Sequence, residues 1–153
     1  MVPVALFTAG CGYSPLVQPP PAVVDSPEAR DAKVHEFVTL VNRHRQRVGC
    51  PALTWDPRVA AVAQAHSSDM LANNFYSHEN RRGQSPFDRL SAAGVGFARA
   101  AENISRGQTT AQQALNTWLG SSGHRRNIEE CRYTHHGVGL AGTYWTHVFI
   151  GER

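Results

Sequence analysis

Residues 137–150 read GVGLAGTYWTHVFI, and this stretch decides the fold. Over residues 144–150 the side chains alternate. Tyr144, Thr146, Val148 and Ile150 fall on one face, and Trp145, His147 and Phe149 on the other, which is the period of a strand. Val138 and Leu140 mark a second strand just before it, and Gly142-Thr143 between the two suits a tight hairpin. Both strands are apolar on two faces, so helices must cover both sides of the sheet. The expected fold class is α+β: an α-β-α sandwich with a small antiparallel sheet covered by helices on both faces.

Upstream, the chain reads as helices. Ser26-Pro27 starts the first, since Ser caps well and Pro suits the first helical position. Val34, Phe37, Val38, Val41 and Val48 follow at helical spacing, and Gly49 ends the run. Residues 50–55 (CPALTW) form a short extended link, and Asp56-Pro57 repeats the start signal. Val59, Val62, Ala63, His66 and Met70 make the inward stripe of that second helix, which Asn73-Asn74 closes. On such a stripe His66 reads as a packed, hydrogen-bonded core residue rather than a ligand. Ser85-Pro86 starts a third, short helix with Phe87 and Leu90, ending near Gly94. Thr110 with Gln113 reads as a capping box for a helix that buries Ala114, Leu115, Trp118 and Leu119. Gly120-Ser121-Ser122-Gly123 breaks it, and one turn of helix through His124 to Ile128 follows.

The chain has 153 residues, 41% hydrophobic and 18% charged, which fits one domain plus a tail and excludes general disorder or a multipass membrane protein. A net charge of only +3 gives no case for a nucleic-acid partner. Residues 1–11 (MVPVALFTAGC) read as a signal-peptide remnant. As a helix their apolar part would span roughly 15 Å, too short to cross a bilayer. Thr8-Ala9-Gly10-Cys11 resembles a bacterial lipobox, with Thr8 where Leu is usual and no Lys or Arg ahead of it. It makes Cys11 a lipidation site and membrane anchor. Residues 12–26 form a Pro-rich linker, and residues 27–153 the folded domain. With Cys11 lipidated, Cys50 and Cys131 remain, either as one disulfide of a secreted protein or as two buried thiols.

Common enzyme signatures fail. His78-Glu79-Asn80-Arg81-Arg82 lacks the second His of a zincin helix, and Gly120-Ser121-Ser122-Gly123 is one residue short of a nucleophile elbow. Three polar segments remain, embedded between apolar ones: Tyr76-Ser77-His78, Ala101-Glu102-Asn103-Ile104, and residues 122–128 (SGHRRNI). Two imidazoles and a carboxylate can satisfy one another as a buried hydrogen-bond cluster, or can hold a divalent metal such as zinc. Spacing leaves both readings open. His135-His136 reads as a surface pair and Arg81-Arg82-Gly83 as a solvated turn.

The order of short motifs resembles the bacterial branch of the CAP superfamily, whose SCP domain is shared by cysteine-rich secretory, antigen-five and plant pathogenesis-related proteins. The motifs are Val-Asn-Arg-His-Arg at residues 41–45, Leu53-Thr54-Trp55-Asp56, Tyr76-Ser77-His78, Ser85-Pro86-Phe87-Asp88-Arg89-Leu90, Ala101-Glu102-Asn103-Ile104, Trp118-Leu119, residues 122–128, and Gly137-Val138-Gly139. The resemblance covers residues 32–151. It implies an α-β-α sandwich, extracellular placement, and a cleft of two His and two acidic residues that in some members binds a metal. By motif, His78 matches the first His, Glu102 the first Glu and His124 the second His. No acid lies between Trp118 and His124, so the second carboxylate is missing or comes from elsewhere, with Glu79 as the candidate. A Cys50–Cys131 bridge would staple the first helix beside the cleft and hold the His124 segment.

The expected function is an extracellular or envelope-anchored, non-enzymatic binding module. His78, Glu102, Asn103 and His124 would meet a lipid-like or sterol-like ligand, or an envelope protein, and no cofactor is required. A structural envelope protein is a related reading. The alternative is a metal-dependent hydrolase with zinc on His78 and His124 and Glu102 as base.

Overall fold

The computed structural model describes residues 24–152. The expected signal remnant, Cys11 and most of the linker lie outside the described residues.

Among the described residues, five helices and four strands follow in the order α1 (Pro27–Arg47), β1 (Thr54–Trp55), α2 (Pro57–Ala72), α3 (Pro86–Ala92), β2 (Arg99–Arg106), α4 (Ala111–Leu119), α5 (Ser122–Glu129), β3 (His135–Ala141) and β4 (Tyr144–Gly151). The start signals act as caps. The Ser26 side chain accepts from the Ala29 N–H, and that of Asp56 from the N–H groups of Arg58 and Val59. Ser85 and Asp88 close a full capping box. Thr110 accepts from the Gln113 N–H, but Gln113 Oε1 takes the Thr109 N–H at 3.0 Å, so the expected box at α4 is only half made. The helix carrying His124 runs eight residues, longer than the single turn expected.

The strands form one sheet in the order β1-β3-β4-β2. β3 and β4 are the expected antiparallel hairpin, turning at Gly142 with φ +56°. β2 pairs antiparallel with β4 along its whole length, from Arg99 opposite Gly151 to Arg106 opposite Tyr144. The short link adds a two-residue strand, β1, parallel to β3, so the sheet is antiparallel except at that edge. β2 is the strand the sequence reading misses. Its buried side chains include Glu102 and Asn103, polar residues whose burial is satisfied only by distant partners. Its outer edge is covered, because the Ile104 carbonyl accepts from both the Tyr76 hydroxyl and the Trp118 indole N–H at 3.0 Å.

Helices cover both faces, as the double-sided apolar strands require. On one face Phe37, Leu115 and Trp118 meet Val138, Leu140, Trp145 and Phe149. On the other, Val59, Val62, Ala63 and Leu90 meet Val148 and Ile150. There α2 lies directly on β3: a Cβ built at Gly137 or Gly139 would fall 2.1 or 2.4 Å from the α2 backbone. Only glycine permits that approach.

Cys50 and Cys131 form the disulfide, with Cα atoms 4.9 Å apart and a sequence separation of 81. Closing so long a loop stabilises by up to ~4.5 kcal/mol on the chain-entropy model. Beside it, the fully buried Arg45 guanidinium donates to the carbonyls of Pro51, Ile128, Glu130 and Tyr133. Bridge and guanidinium together tie α1 to the end of α5.

His135-His136 departs from expectation. His136 is fully buried, and its Nδ1 lies 2.9 Å from Nε2 of the equally buried His147. His147 stacks on Phe149 and meets Phe37 edge-on, so the two imidazoles fill an aromatic core rather than a surface.

Candidate functional site

The site is built around Glu102. Its place opposite Val148 turns its side chain to the α2–α3 face, while Asn103 next to it, opposite His147, turns to the face of α1, α4 and α5. The Glu102 side chain is only 1% exposed. Such a carboxylate needs partners on both oxygens. It has them: Oε1 lies 2.9 Å from His78 Nδ1 and Oε2 2.6 Å from Arg89 Nη2. The second is a charge-assisted contact from α3, a strong kind of hydrogen bond.

The loop bearing His78 is pinned by the same groups. Arg89 Nη1 donates to the His78 carbonyl at 2.7 Å and to the Gln84 carbonyl at 3.0 Å. His66 Nε2 donates to the Ser77 carbonyl at 2.8 Å and lies 4.0 Å from Glu102 Oε1. Burial lowers the proton affinity of His66 against the opposing pull of Glu102, which keeps the ring neutral near pH 7. His66 is thus the hydrogen-bonded core histidine expected, and it also braces the site. The His78 ring is half exposed. With Nδ1 on Glu102, its Nε2 is the nitrogen left for a ligand.

His124 lies on α5. Asn103, fully buried, holds that helix: its Nδ2 donates to the His124 carbonyl at 3.0 Å, and its Oδ1 accepts from Asn127 at 2.8 Å. Both polar ends of Asn103 are therefore engaged in positioning α5. Burial, and then the nearby charge of His78, lower the proton affinity of His124, and its Nδ1 is buried without a partner. The fold thus brings the segments of His78, Glu102 and His124 together. Glu79, the candidate second acid, is exposed and joins none of the ion pairs among the described residues.

A divalent metal is a poor match for these side chains. Both Glu102 oxygens are engaged, the second acid is missing, and among the described residues no group of three or more His, Cys, Asp or Glu is placed to hold a metal ion. What the arrangement does offer is a rigid ion-paired wall with one oriented imidazole. The sequence reading missed Arg89. Its only signal there was its position in the Ser85–Leu90 motif.

Beside this wall, between α2, α3 and the loop of residues 80–84, opens a hollow of about 730 Å³ that His66 and Arg89 help to line. Its size is that of a small-molecule site.

Comparison with known proteins accords with the fold. Residues 38–150 match the family described as CAP, cysteine-rich secretory protein family. The uncharacterized protein YkwD of Bacillus subtilis (strain 168) is 36% identical over 129 residues, covering 83% of this chain and 50% of that protein. The uncharacterized membrane protein YlbC of the same organism is 39% identical over 115 residues, 75% of this chain and 33% of its own length. The chain therefore spans half or less of the curated relatives it matches. Among solved structures, an extracellular protein containing a SCP domain from Bacillus anthracis superposes with TM-score 0.79 at 35% identity, covering 83% of this chain and 44% of that one. An outer surface protein from Borrelia burgdorferi has TM-score 0.75 over 80% of this chain and 94% of its own, and at 16% identity shares the fold alone. The sandwich, the ordered motifs and the matched residues together make this chain a member of the CAP family of cysteine-rich secretory proteins.

Proposed function

We propose that the protein is a non-enzymatic binding module of the bacterial cell envelope, outside the membrane and tethered through a lipid on Cys11. It takes a lipid-like ligand or an envelope partner at the cleft of His78, Glu102, Asn103 and His124. The observation that carries this reading is the engagement of Glu102. A general base must reach the proton it takes, and a carboxylate that is buried and ion-paired is screened from it. Here one oxygen meets Arg89, the other meets His78, and the side chain is buried. The extracellular SCP-domain relative at 35% identity supports the location.

The hydrolase reading draws its support from His78, whose half-exposed ring is oriented by a carboxylate. In this geometry Glu102 serves as an orienter, so Glu102 as base requires Arg89 to let go.

The test is native mass spectrometry of the full chain purified from its own envelope, with a peptide and ester turnover screen alongside. A retained small molecule that is lost in His78→Ala, with no turnover, is the expected result. Turnover that disappears in Glu102→Ala establishes the hydrolase instead. An empty protein that takes up neither sterol nor lipid leaves the envelope partner as occupant.

A further inference from the structure

The hollow beside the Glu102 wall has a chemistry of its own. Val62, Ala65, Ala92 and Ala93 give it a short apolar lining, and Arg81 and Arg82 stand at it from the loop. Neither arginine has a carboxylate partner among the described residues. Asp69 is the one acid in the lining, and its Oδ1 accepts from Asn73 at 2.6 Å. The Arg89 charge is balanced by Glu102, so the lining sets Arg81 and Arg82 against Asp69, one net positive charge.

The loop that carries the two arginines is built, not loose. Asn80 is buried, and its Oδ1 accepts from the N–H groups of Arg82 and Gln84 at 3.0 and 2.9 Å. Gly83 turns with φ +77°, its N–H donating to the Asn80 carbonyl at 2.9 Å. Arg89 then ties the Gln84 carbonyl to α3. Two guanidiniums thus start from fixed backbone positions, which lowers the ordering cost of binding.

A second, independent feature lies in the wall. Arg89 Nε and His66 Nδ1 are both buried and without a hydrogen-bond partner, on side chains 9% and 0% exposed. With Nε2–H on the Ser77 carbonyl, His66 Nδ1 is an acceptor, while Arg89 Nε–H is a donor. Of the two, the unmet Arg89 Nε–H is the one that favours an accepting headgroup over a plain hydrocarbon.

We infer that this hollow is a binding site for a small oxyanion, a carboxylate or phosphate monoester, carrying a short apolar body. It goes beyond the binding-module reading, as a second site beside the His78–Glu102 cleft with a ligand of its own. Charge-assisted contacts from Arg81 and Arg82 hold the head, and the alanines of α2 and α3 meet the body.

The experiment is an amide NMR titration of the full chain with benzoate, phenyl phosphate and benzyl alcohol at low salt. Benzoate, phenyl phosphate or both should shift the amides of Ala65, Arg82, Ala92 and Ala93 saturably, and which of them binds decides between carboxylate and phosphate. Benzyl alcohol should bind at least about ten-fold more weakly. Arg81→Gln/Arg82→Gln should weaken the anion about ten-fold or more, and added salt should weaken it too. Ala65→Glu, an exposed change on α2, should abolish it while leaving the rest of the spectrum intact. Equal binding of the alcohol, an unchanged affinity in the double variant, or shifts confined to other surfaces overturns the inference. A ligand retained from the envelope together with such a failure overturns the anion site alone and leaves the binding-module reading standing.

Discussion

The two faces of the sheet solve the same problem with different chemistry. Toward α1 and α4 the strands present bulk: Trp145, Phe149, Leu140 and two buried imidazoles, His136 and His147, that find a nitrogen partner only in each other. Toward α2 and α3 they present little. Gly137 and Gly139 let the helix backbone touch the sheet, and polar side chains there are bound in a network of His66, His78, Arg89 and Glu102. A buried histidine is therefore not by itself a site. The carboxylate and guanidinium on the second face make the difference, because they orient one ring and leave it half exposed.

The sharpest way to break this contrast is to move one methyl group on each face. Gly139→Ala drives a Cβ to 2.4 Å from α2 backbone atoms that cannot swing aside. The expected loss is about 4 kcal/mol or more, near the limit for single changes. Ile128→Val on the aromatic side leaves a small void and should cost about 0.5–1.5 kcal/mol. Urea unfolding of both variants measures the ratio, and equal losses would mean α2 can shift freely.

Next is Arg89→Met, which strips Glu102 of its buried cation. Removing one partner of such a pair costs about 3–5 kcal/mol, and Glu102→Gln in the same chain should restore most of it. A double-mutant cycle by urea unfolding tests this coupling. Simple additivity of the two changes would mean the pair is not the centre of the wall.

Acid gives a smaller and more graded effect. Burial holds His136 at about 3, with Arg45 and His135 adding to it, and depresses His147 in the same way, with His136 and Arg45 adding. His66 and His124 on the site side are lowered as well. Unfolded, each takes a proton near pH 6.5. Below that pH the unfolded chain binds more protons, so stability is complete above about 6.5 and falls as pH drops toward the folded values. Each such histidine contributes a slope of about 1.4 kcal/mol per pH unit. Carboxylates held low, Glu129 and Glu130 among them, join only below about pH 4.5. Stability measured from about pH 7 to 5 isolates the histidines, and a flat profile there contradicts the buried neutral pair.

Least of all should come from a contact that serves neither face. Arg132 and Glu130 pair at 2.6 Å, but the Arg132 side chain is 68% exposed. Arg132→Ala should cost under about 1 kcal/mol in the same unfolding assay, whatever the short distance suggests.

These contrasts also mark what the sequence could disclose. Caps at Ser26, Asp56 and Ser85, the Gly142 hairpin and the Cys50–Cys131 pair rest on local chemistry or parity, and all are found. β2 stayed hidden because Glu102 and Asn103 look like loop residues until Arg89, His78 and α5 are beside them. The same holds for Gly137 and Gly139, which look like turn residues, and for His136, which looks exposed until it meets His147. The ordered motifs pointed to the site, but the partner that occupies Glu102 lay 13 residues away and had no signal of its own.

Most depends on Glu102 being engaged by Arg89 and His78, and the tautomer of His78 reports that directly. With Glu102 accepting, long-range proton–nitrogen NMR near pH 8 should find the His78 proton on Nδ1, and Glu102→Ala should release that preference. A ring that carries its proton on Nε2 in the unmodified protein, unchanged by Glu102→Ala, would show that the carboxylate does not hold it.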